Sequence, residues 1–276
     1  MTPSEQAEAL VSQFGISDPR DIDIEAIALD AGVEIEYEPL VGCEAVLVGF
    51  GDRAIATVKP SKIRGRERFS IAHELGHWNL HRGKSFRCRV NDPDENLSSN
   101  SIHEKEADTF AAHLLMPAPL FQPAVKALGN PGFRELEKLA EEFSTSLLAT
   151  SVRLADINTL PVILACYAST GRRWYKAASD VPKRWWLRDK LDDDSFAYDL
   201  LAKGKQPCGV KQSAEVWFEN YDADDYEVLE YCISSRSGEV LVLIYLTSKM
   251  LYAKFDPGVG NRKYNEFGSY VPKKVR

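Results

Sequence analysis

The chain has 276 residues, of which 44% are hydrophobic and 27% charged, a balance typical of folded globular proteins and not of disordered or membrane-embedded chains. Its net charge of −7 and pI near 5.4 argue against a protein that coats nucleic acid, which would need a basic face. Its five cysteines are spread along the chain without a CxxC pair, so they indicate neither a disulfide framework nor a thiolate metal site.

The N-terminal part predicts a small α+β arrangement. Helical periodicity covers Glu5 to Phe14 and Asp23 to Ala31, and the second helix ends before Gly32. Strand-like runs follow at VEIEYEPL, EAVLVGF and RAIATVKP, with a Gly51-Asp52 turn between the last two. The opening residues lack the charged and apolar regions of a signal peptide, so we expect a cytoplasmic protein that does not enter a membrane.

Two amphipathic helices, with their ends, carry all the histidines of the chain. The first covers ERFSIAHELGHWNLH, and the second covers IHEKEADTFAAHLLM and is closed by Pro117. The segment between them, GKSFRCRVNDPDENLSSNS, is rich in Gly, Asn, Asp, Pro and Ser and predicts a loop. Such clustering of histidines is typical of a functional site.

The rest of the chain predicts a helix pair and a mixed tail. PGFRELEKLAEEFSTSLLATSVRLADI has two amphipathic stretches around a Ser-Thr-Ser break, which is a helix-turn-helix pattern. From about Leu160, strands are predicted at PVILACYAS, EVWFENY, YEVLEYCISS and GEVLVLIYL, and a helix at KRWWLRDKLDDDSFAYDLLAKG. The layout predicts an α+β front domain, a helical middle and an α+β tail domain.

The segment His73-Glu74-Leu75-Gly76-His77 has the spacing of a helical zinc site. Residues four apart on a helix share a face, with Cβ atoms about 5–6 Å apart, so His73 and His77 can aim ring nitrogens at one ion. Zinc accepts imidazole nitrogen in a tetrahedral shell, and a catalytic site leaves one position for water. Glu74 is rotated about 100° from His73, which suits it to take a proton from that water.

A third protein ligand is expected from the second helix. Glu104 and Asp108 are four apart and share a helix face, whereas Glu106 points nearly opposite to Glu104 and is predicted to be a solvated charge. Glu104 is therefore the better ligand, and Asp108 suits a hydrogen bond to the other nitrogen of a ligand histidine. The spacing predicts a zinc hydrolase.

The remaining histidines are not expected to bind the same ion. His81 continues the four-residue spacing, but two helical turns, about 12 Å, separate it from His73. His103 and His113 are predicted to be packing or surface residues. The group that stabilises the oxyanion stays open, with His81, His103 and the tyrosines as candidates.

The segments RFSIAHELGHWNLH and EKEADTFAAHLLMP resemble the ImmA/IrrE-type metallopeptidases, and the pairing of HExxH with a later Glu-xxx-Asp resembles the gluzincins. The resemblance implies a zincin-like fold and a cytoplasmic zinc endopeptidase that cleaves a helix-turn-helix repressor, derepressing stress-response or mobile-element genes. It further implies a metallopeptidase domain at residues 1–120, a helix-turn-helix-like region at 121–158 and a GAF-like α+β sensor domain at 159–276.

A DNA-binding transcriptional regulator with a vestigial metal domain is the alternative hypothesis. It would use the middle helices and GRRWYKAASDVPKRWWLRDK, which interleaves basic residues with tryptophans. The second middle helix, SLLATSVRLADI, offers only Arg153 for contacts with DNA. The simpler interpretation of the Trp-rich run is a tail-domain helix with packed rings and solvated charges. We therefore expect no direct DNA binding.

Overall fold

The computed structural model describes residues 1–82, 86–89, 100–204, 209–235 and 238–253, and the statements below concern these residues. The chain divides into two compact units, the first formed by Met1–Gly129 with Arg134–Arg153 and the second by Asn130–Phe133 with Leu154–Arg276. Each unit contains one sheet, and the architecture is mixed α+β, as the sequence predicts. Most of the middle region at 121–158 groups with the first unit, and the division into three domains stays a prediction.

The first unit is rich in helices, two of which extend across its boundary. Thr2 and Glu5 form a capping box at the first helix, and the Asp23 side chain caps the second, as their sequences favour. None of the described helices combines the length and the apolar character that a bilayer crossing requires. The helices are α1 (Pro3–Gln13), α2 (Ile24–Asp30), α3 (Arg64–Leu80), α4 (Asn100–Leu115), α5 (Ala118–Leu128), α6 (Phe133–Glu142) and α7 (Leu147–Asp156).

The sheet of the first unit is four-stranded, with the order β1-β3-β2-β4. Strand β1 runs parallel to β3, and the other neighbours are antiparallel. The sequence predicted a loop for residues 83–101. This prediction was wrong at β4, which pairs with β2, and at the start of α4. Residues 83–85 and 90–99 lie outside the described residues. The strands are β1 (Val33–Tyr37), β2 (Cys43–Phe50), β3 (Arg53–Val58) and β4 (Phe86–Arg89).

The core of the first unit lies between its sheet and α1 to α4. Helix α3 buries one apolar side there, because apolar residues recur at helical spacing around the two histidines. The strands contribute alternate residues, as expected for a sheet with one buried face. This apolar packing holds α3 against the sheet independently of its polar contacts. The residues of α3 in the core are Ile71, Ala72, Leu75 and Trp78.

The second unit is built on a five-stranded antiparallel sheet with the order β6-β5-β9-β8-β7. Its central strands are buried, while β6 lies at an edge and is largely exposed. The GAF-like character of this unit stays a prediction. Its elements are β5 (Val162–Ala168), β6 (Gly171–Ala177), α8 (Phe196–Lys203), β7 (Val210–Ser213), β8 (Glu227–Ser234), β9 (Val240–Leu246) and α9 (Ser248–Leu251).

Three predictions for the tail differ from the structure. The helix predicted over residues 183–204 forms only as α8, because the backbone of Trp186 and Arg188 pairs instead with Glu219 and Trp217. The predicted strand EVWFENY contains a single bridge, Leu187 with Phe218. The helical interpretation of the Trp-rich run was likewise wrong for residues 171–177, which form β6. Tertiary pairing overrides local propensity in each case.

Glu230 is a buried carboxylate of β8, with 2% of its surface exposed. It accepts hydrogen bonds from the Ala197 backbone N–H at 2.8 Å, from Trp217 Nε1 at 2.9 Å and from Gln212. Burial raises the pKa of Glu230 to about 7, although the hydrogen bonds from Trp217 and from the Ala197 backbone oppose the shift. Because this pKa lies above the ordinary 4.5, Glu230 adds stability at low pH that is lost as the pH rises through about 7.

We expect replacement of Glu230 by Gln to flatten the pH dependence of folding stability. Between about pH 5 and pH 8, the wild-type chain should lose roughly 2–3 kcal/mol more than Glu230→Gln, because only the carboxyl must ionise in a buried position. Denaturant titrations of both proteins across this range give the two slopes. Parallel curves would contradict this role for Glu230.

Candidate metal centre

Helices α3 and α4 pack with their backbones in close approach at Gly76. A Cβ atom at Gly76 would lie 3.1 Å from Cα of Ala107, 3.2 Å from its carbonyl oxygen and 3.2 Å from Cβ of Phe110. Glycine therefore permits this close spacing without a shift of α4, and the spacing brings side chains from both helices within hydrogen-bonding reach.

Ala107 at this crossing divides the polar residues of α4 into two sets. At about 100° per residue, Glu104 and Asp108 lie on one side of Ala107 on the helical wheel, and His103 and Glu106 lie on the other. Helix α3 presents His73 to the first set and His81, at its C-terminal end, to the second. His77 lies between these two histidines along α3 and contacts both.

The first cluster unites His73, His77 and Glu104, the three ligands predicted from the sequence. The Nε2 atoms of the histidines are 3.0 Å apart. Glu104 places one carboxylate oxygen 3.1 Å from Nε2 of His73 and the other 3.3 Å from Nε2 of His77. Four ligands at zinc bond lengths of about 2.0–2.1 Å in a tetrahedron lie about 3.3 Å apart. The three donor groups therefore fit a tetrahedral ion that keeps one position for water.

The electrostatics of the first cluster favour the protonation states that a metal needs. Burial lowers the pKa of His77, and its hydrogen bond with Glu104 opposes this only in part. Burial alone would raise the pKa of Glu104, but hydrogen bonds and charge interactions with both histidines outweigh it and hold the pKa well below its usual range. Neutral imidazole and ionised carboxylate are the forms that bind metal ions.

Asp108 and Glu74 are the two remaining site residues predicted from the sequence. Oδ1 of Asp108 is 2.9 Å from Nδ1 of His73, the contact expected of a group that orients a ligand histidine through its second nitrogen. Glu74 follows His73 on α3 and is fully buried. The structure thus places all five predicted site residues on the facing segments of α3 and α4, while their roles stay predictions.

A second cluster, formed by His81, His103 and Glu106, was missed by the sequence analysis. Nε2 of His81 is 2.8 Å from a carboxylate oxygen of Glu106, so the prediction of Glu106 as a purely solvated charge was wrong. The ring centroids of His81 and His103 are 4.4 Å apart. The signals available in the sequence were the continued four-residue spacing to His81 and the three-residue spacing from His103 to Glu106.

His113 belongs to neither cluster and takes the packing role predicted for it. Its Nδ1 is 2.7 Å from a carboxylate oxygen of Glu8, and its Nε2 is 2.8 Å from Nη1 of Arg153. Arg153 is 2% exposed and donates from Nε to the carbonyl of Met116. The basic residue that the second middle helix offers is therefore occupied inside the first unit.

The basic residues of β6 are paired with acids of the second unit. Nitrogen–oxygen distances are 2.6 Å for Arg172 with Asp189, 3.5 Å for Arg173 with Glu239 and 2.6 Å for Lys176 with Asp156. Such pairing reduces the positive potential that phosphate contacts require. The Trp-rich run therefore gives little support to the DNA-binding hypothesis.

Comparisons with known proteins match the part of the chain that carries the first cluster. Residues 28–155 match the family model of the peptidase M78 type, described as IrrE N-terminal-like domain. The chain is 30% identical over 155 residues to the radiation response metalloprotease IrrE of Deinococcus radiodurans, covering 54% of this chain and 44% of that protein. It is 32% identical over 103 residues to the protein of the same name from Deinococcus deserti, covering 37% of this chain and 36% of that protein.

A solved structure resembles the fold over a longer range. A Mycobacterium tuberculosis transcriptional regulator superposes with a TM-score of 0.59, covering 93% of this chain and 82% of that one, at 16% identity. At this identity the likeness concerns the fold alone. The chain spans less than half the length of the two Deinococcus proteins that it matches.

We expect the first cluster to hold one metal ion per chain. Separate replacement of His73, His77 or Glu104 by Ala should lower the metal content from about one ion to below about a tenth, because each change leaves only two protein ligands. Elemental analysis of the purified, desalted proteins measures this content. His113→Gln is the matched control and should keep the metal, whereas full retention by Glu104→Ala would contradict the assignment.

Proposed function

In residues 28–155 the chain belongs to the ImmA/IrrE-type metallopeptidase family, and from this premise we propose that it is a zinc-dependent endopeptidase. The observation that carries the proposal is the convergence of His73, His77 and Glu104, whose donor atoms lie 3.0–3.3 Å apart. Two imidazoles and one carboxylate are the ligand set of several zinc peptidases. Magnesium and calcium prefer shells of oxygen atoms, which favours zinc for this site.

The proposed reaction is hydrolysis of a peptide bond. His73, His77 and Glu104 would hold a zinc ion, which would act as a Lewis acid, bring the pKa of a bound water near 7 and polarise the scissile carbonyl. Glu74 accepts a proton from the attacking water, and the same proton passes to the leaving nitrogen as the C–N bond breaks. Asp108 holds the His73 ring by its Nδ1 atom, so that Nε2 keeps its direction.

The Glu74→Gln variant separates metal binding from catalysis. Gln has nearly the size of Glu but is not a base, so metal content should stay near that of the wild type while cleavage falls by about two or more orders of magnitude. Elemental analysis and a peptide-cleavage assay on the same preparations measure the two effects. Cleavage at the wild-type rate would assign the base to another residue.

We further propose that the substrate is a helix-turn-helix repressor, so that cleavage derepresses stress-response or mobile-element genes. The family resemblance of the two motif-bearing helices supports this substrate class, as does the description of the two Deinococcus relatives as radiation response metalloproteases. The α6–α7 pair would then serve peptide recognition or domain docking, since its Arg153 is buried. The alternative, a DNA-binding regulator with a vestigial metal domain, gains no support from the paired basic residues of β6.

Co-expression tests the substrate class. The chain is produced together with an epitope-tagged helix-turn-helix repressor encoded beside it, and immunoblotting should show a shortened repressor. Glu74→Gln is the control and should leave the repressor intact, because it keeps the fold and the metal but not the base. An intact repressor together with sequence-specific, nanomolar DNA binding by the chain would favour the alternative function.

A further inference from the structure

A row of hydrogen-bonding groups leads away from the first cluster on the side opposite to Asp108. Nδ1 of His77 is 3.3 Å from Nδ1 of His81, and Nε2 of His81 is 2.8 Å from a carboxylate oxygen of Glu106. Both histidine residues are buried, with 0% and 8% of their surfaces exposed. We call His77, His81 and Glu106 the histidine relay.

An ion bound to the first cluster would set the direction of the relay. Nε2 of His77 faces Nε2 of His73 and a carboxylate oxygen of Glu104, so this nitrogen offers its lone pair to an ion. A neutral imidazole that binds through Nε2 carries its proton on Nδ1. That N–H would donate to Nδ1 of His81, which would place the proton of His81 on Nε2, where it would donate to the carboxylate of Glu106.

The surroundings hold the His81 ring in the orientation that the relay needs. Helix α3 ends at Leu80, and the backbone N–H of His81 still donates to the carbonyl of His77 at 2.9 Å. The ring of His103 lies against that of His81 at 67° between their planes. His81 is therefore fixed by its backbone, by an aromatic neighbour and by Glu106.

We propose that His81 and Glu106 are positioning residues that fix the tautomer and orientation of His77, as Asp108 does for His73. The inference rests on the proposed function, which already pairs His73 with Asp108, and adds to it a carboxylate, Glu106, that acts on His77 through His81. A hydrogen bond that ends on a carboxylate increases the basicity of the ligating nitrogen. Each histidine of the HExxH segment would then be held from its far side by an acid of α4.

A second metal ion is the competing interpretation, because His81, His103 and Glu106 also bring donor atoms within 4.8 Å of one another. An ion on Nε2 of His81 would place the proton of that ring on Nδ1. This N–H would face the Nδ1–H of His77 across 3.3 Å, so that two donors would point at each other. Occupation of the first cluster therefore favours the relay over a second ion.

The experiment compares zinc affinity among variants of the full chain by competition with a chromogenic chelator. Glu106→Ala and His81→Phe should each weaken zinc binding about 10- to 100-fold, the usual effect of losing such a partner, and Asp108→Ala should do the same. Glu106→Gln should keep most of the affinity, because its amide oxygen still accepts from His81. Lys105→Ala, which lies between Glu104 and Glu106 on the same helix, should bind zinc as the wild type does.

Two further readouts distinguish positioning from general stability. Thermal unfolding of the zinc-free proteins should be similar for Glu106→Gln and the wild type, and the zinc-dependent rise in Tm should shrink in Glu106→Ala. Cobalt substitution should give a visible spectrum that changes in Glu106→Ala and recovers in Glu106→Gln, because the ligand field reports the orientation of His77.

The outcomes separate the relay from the function on which it rests. A wild-type chain that binds no zinc would overturn both. Unchanged affinity in Glu106→Ala and His81→Phe, with loss of zinc in Glu104→Ala, would overturn the relay and leave the proposed function standing. Two zinc ions in the wild type, one of them lost in Glu106→Ala while the other keeps its affinity, would replace the relay with a second metal site.

Discussion

The close approach of α3 and α4 at Gly76 and Ala107 is the constraint on which the candidate site depends. A methyl group at position 76 would already lie 3.1 Å from the Ala107 backbone, and a larger side chain would push the helices apart. The donor atoms of His73, His77 and Glu104 lie 3.0–3.3 Å apart across this junction, and metal binding tolerates changes of only a few tenths of an ångström. Gly76, which has no side chain, thus sets the spacing of the ligand residues.

The same junction explains how a buried polar site is tolerated within an apolar core. Burying a polar group without a partner costs about 1–3 kcal/mol, so polar clusters inside proteins must be connected. Helix α4 meets this requirement from both sides of Ala107, with Asp108 beside His73 and Glu106 beside His81. The hydrogen bonds also restrict the rings, which leaves the site organised before an ion or a peptide arrives.

The sequence predicted the parts of the site that follow from helix geometry. His73 and His77 share a face because they are four residues apart, and the same spacing selected Glu104 and Asp108. The contact of His81 with Glu106 could not be predicted this way, because it depends on where the two helices cross. The same reason applies to residues 183–195 and to β4, whose conformations are set by distant strands or segments that a local pattern does not reveal.

X-ray absorption spectroscopy at the zinc edge of the purified chain tests whether α3 and α4 together hold one zinc ion through His73, His77 and Glu104. The expected spectrum shows a shell of nitrogen and oxygen ligands at about 2.0–2.1 Å, with the outer-shell scattering of two imidazole rings. Replacement of Glu104 should remove this signal from the desalted protein. A spectrum dominated by sulfur at about 2.3 Å, or one with a single imidazole, would rule out this ligand set.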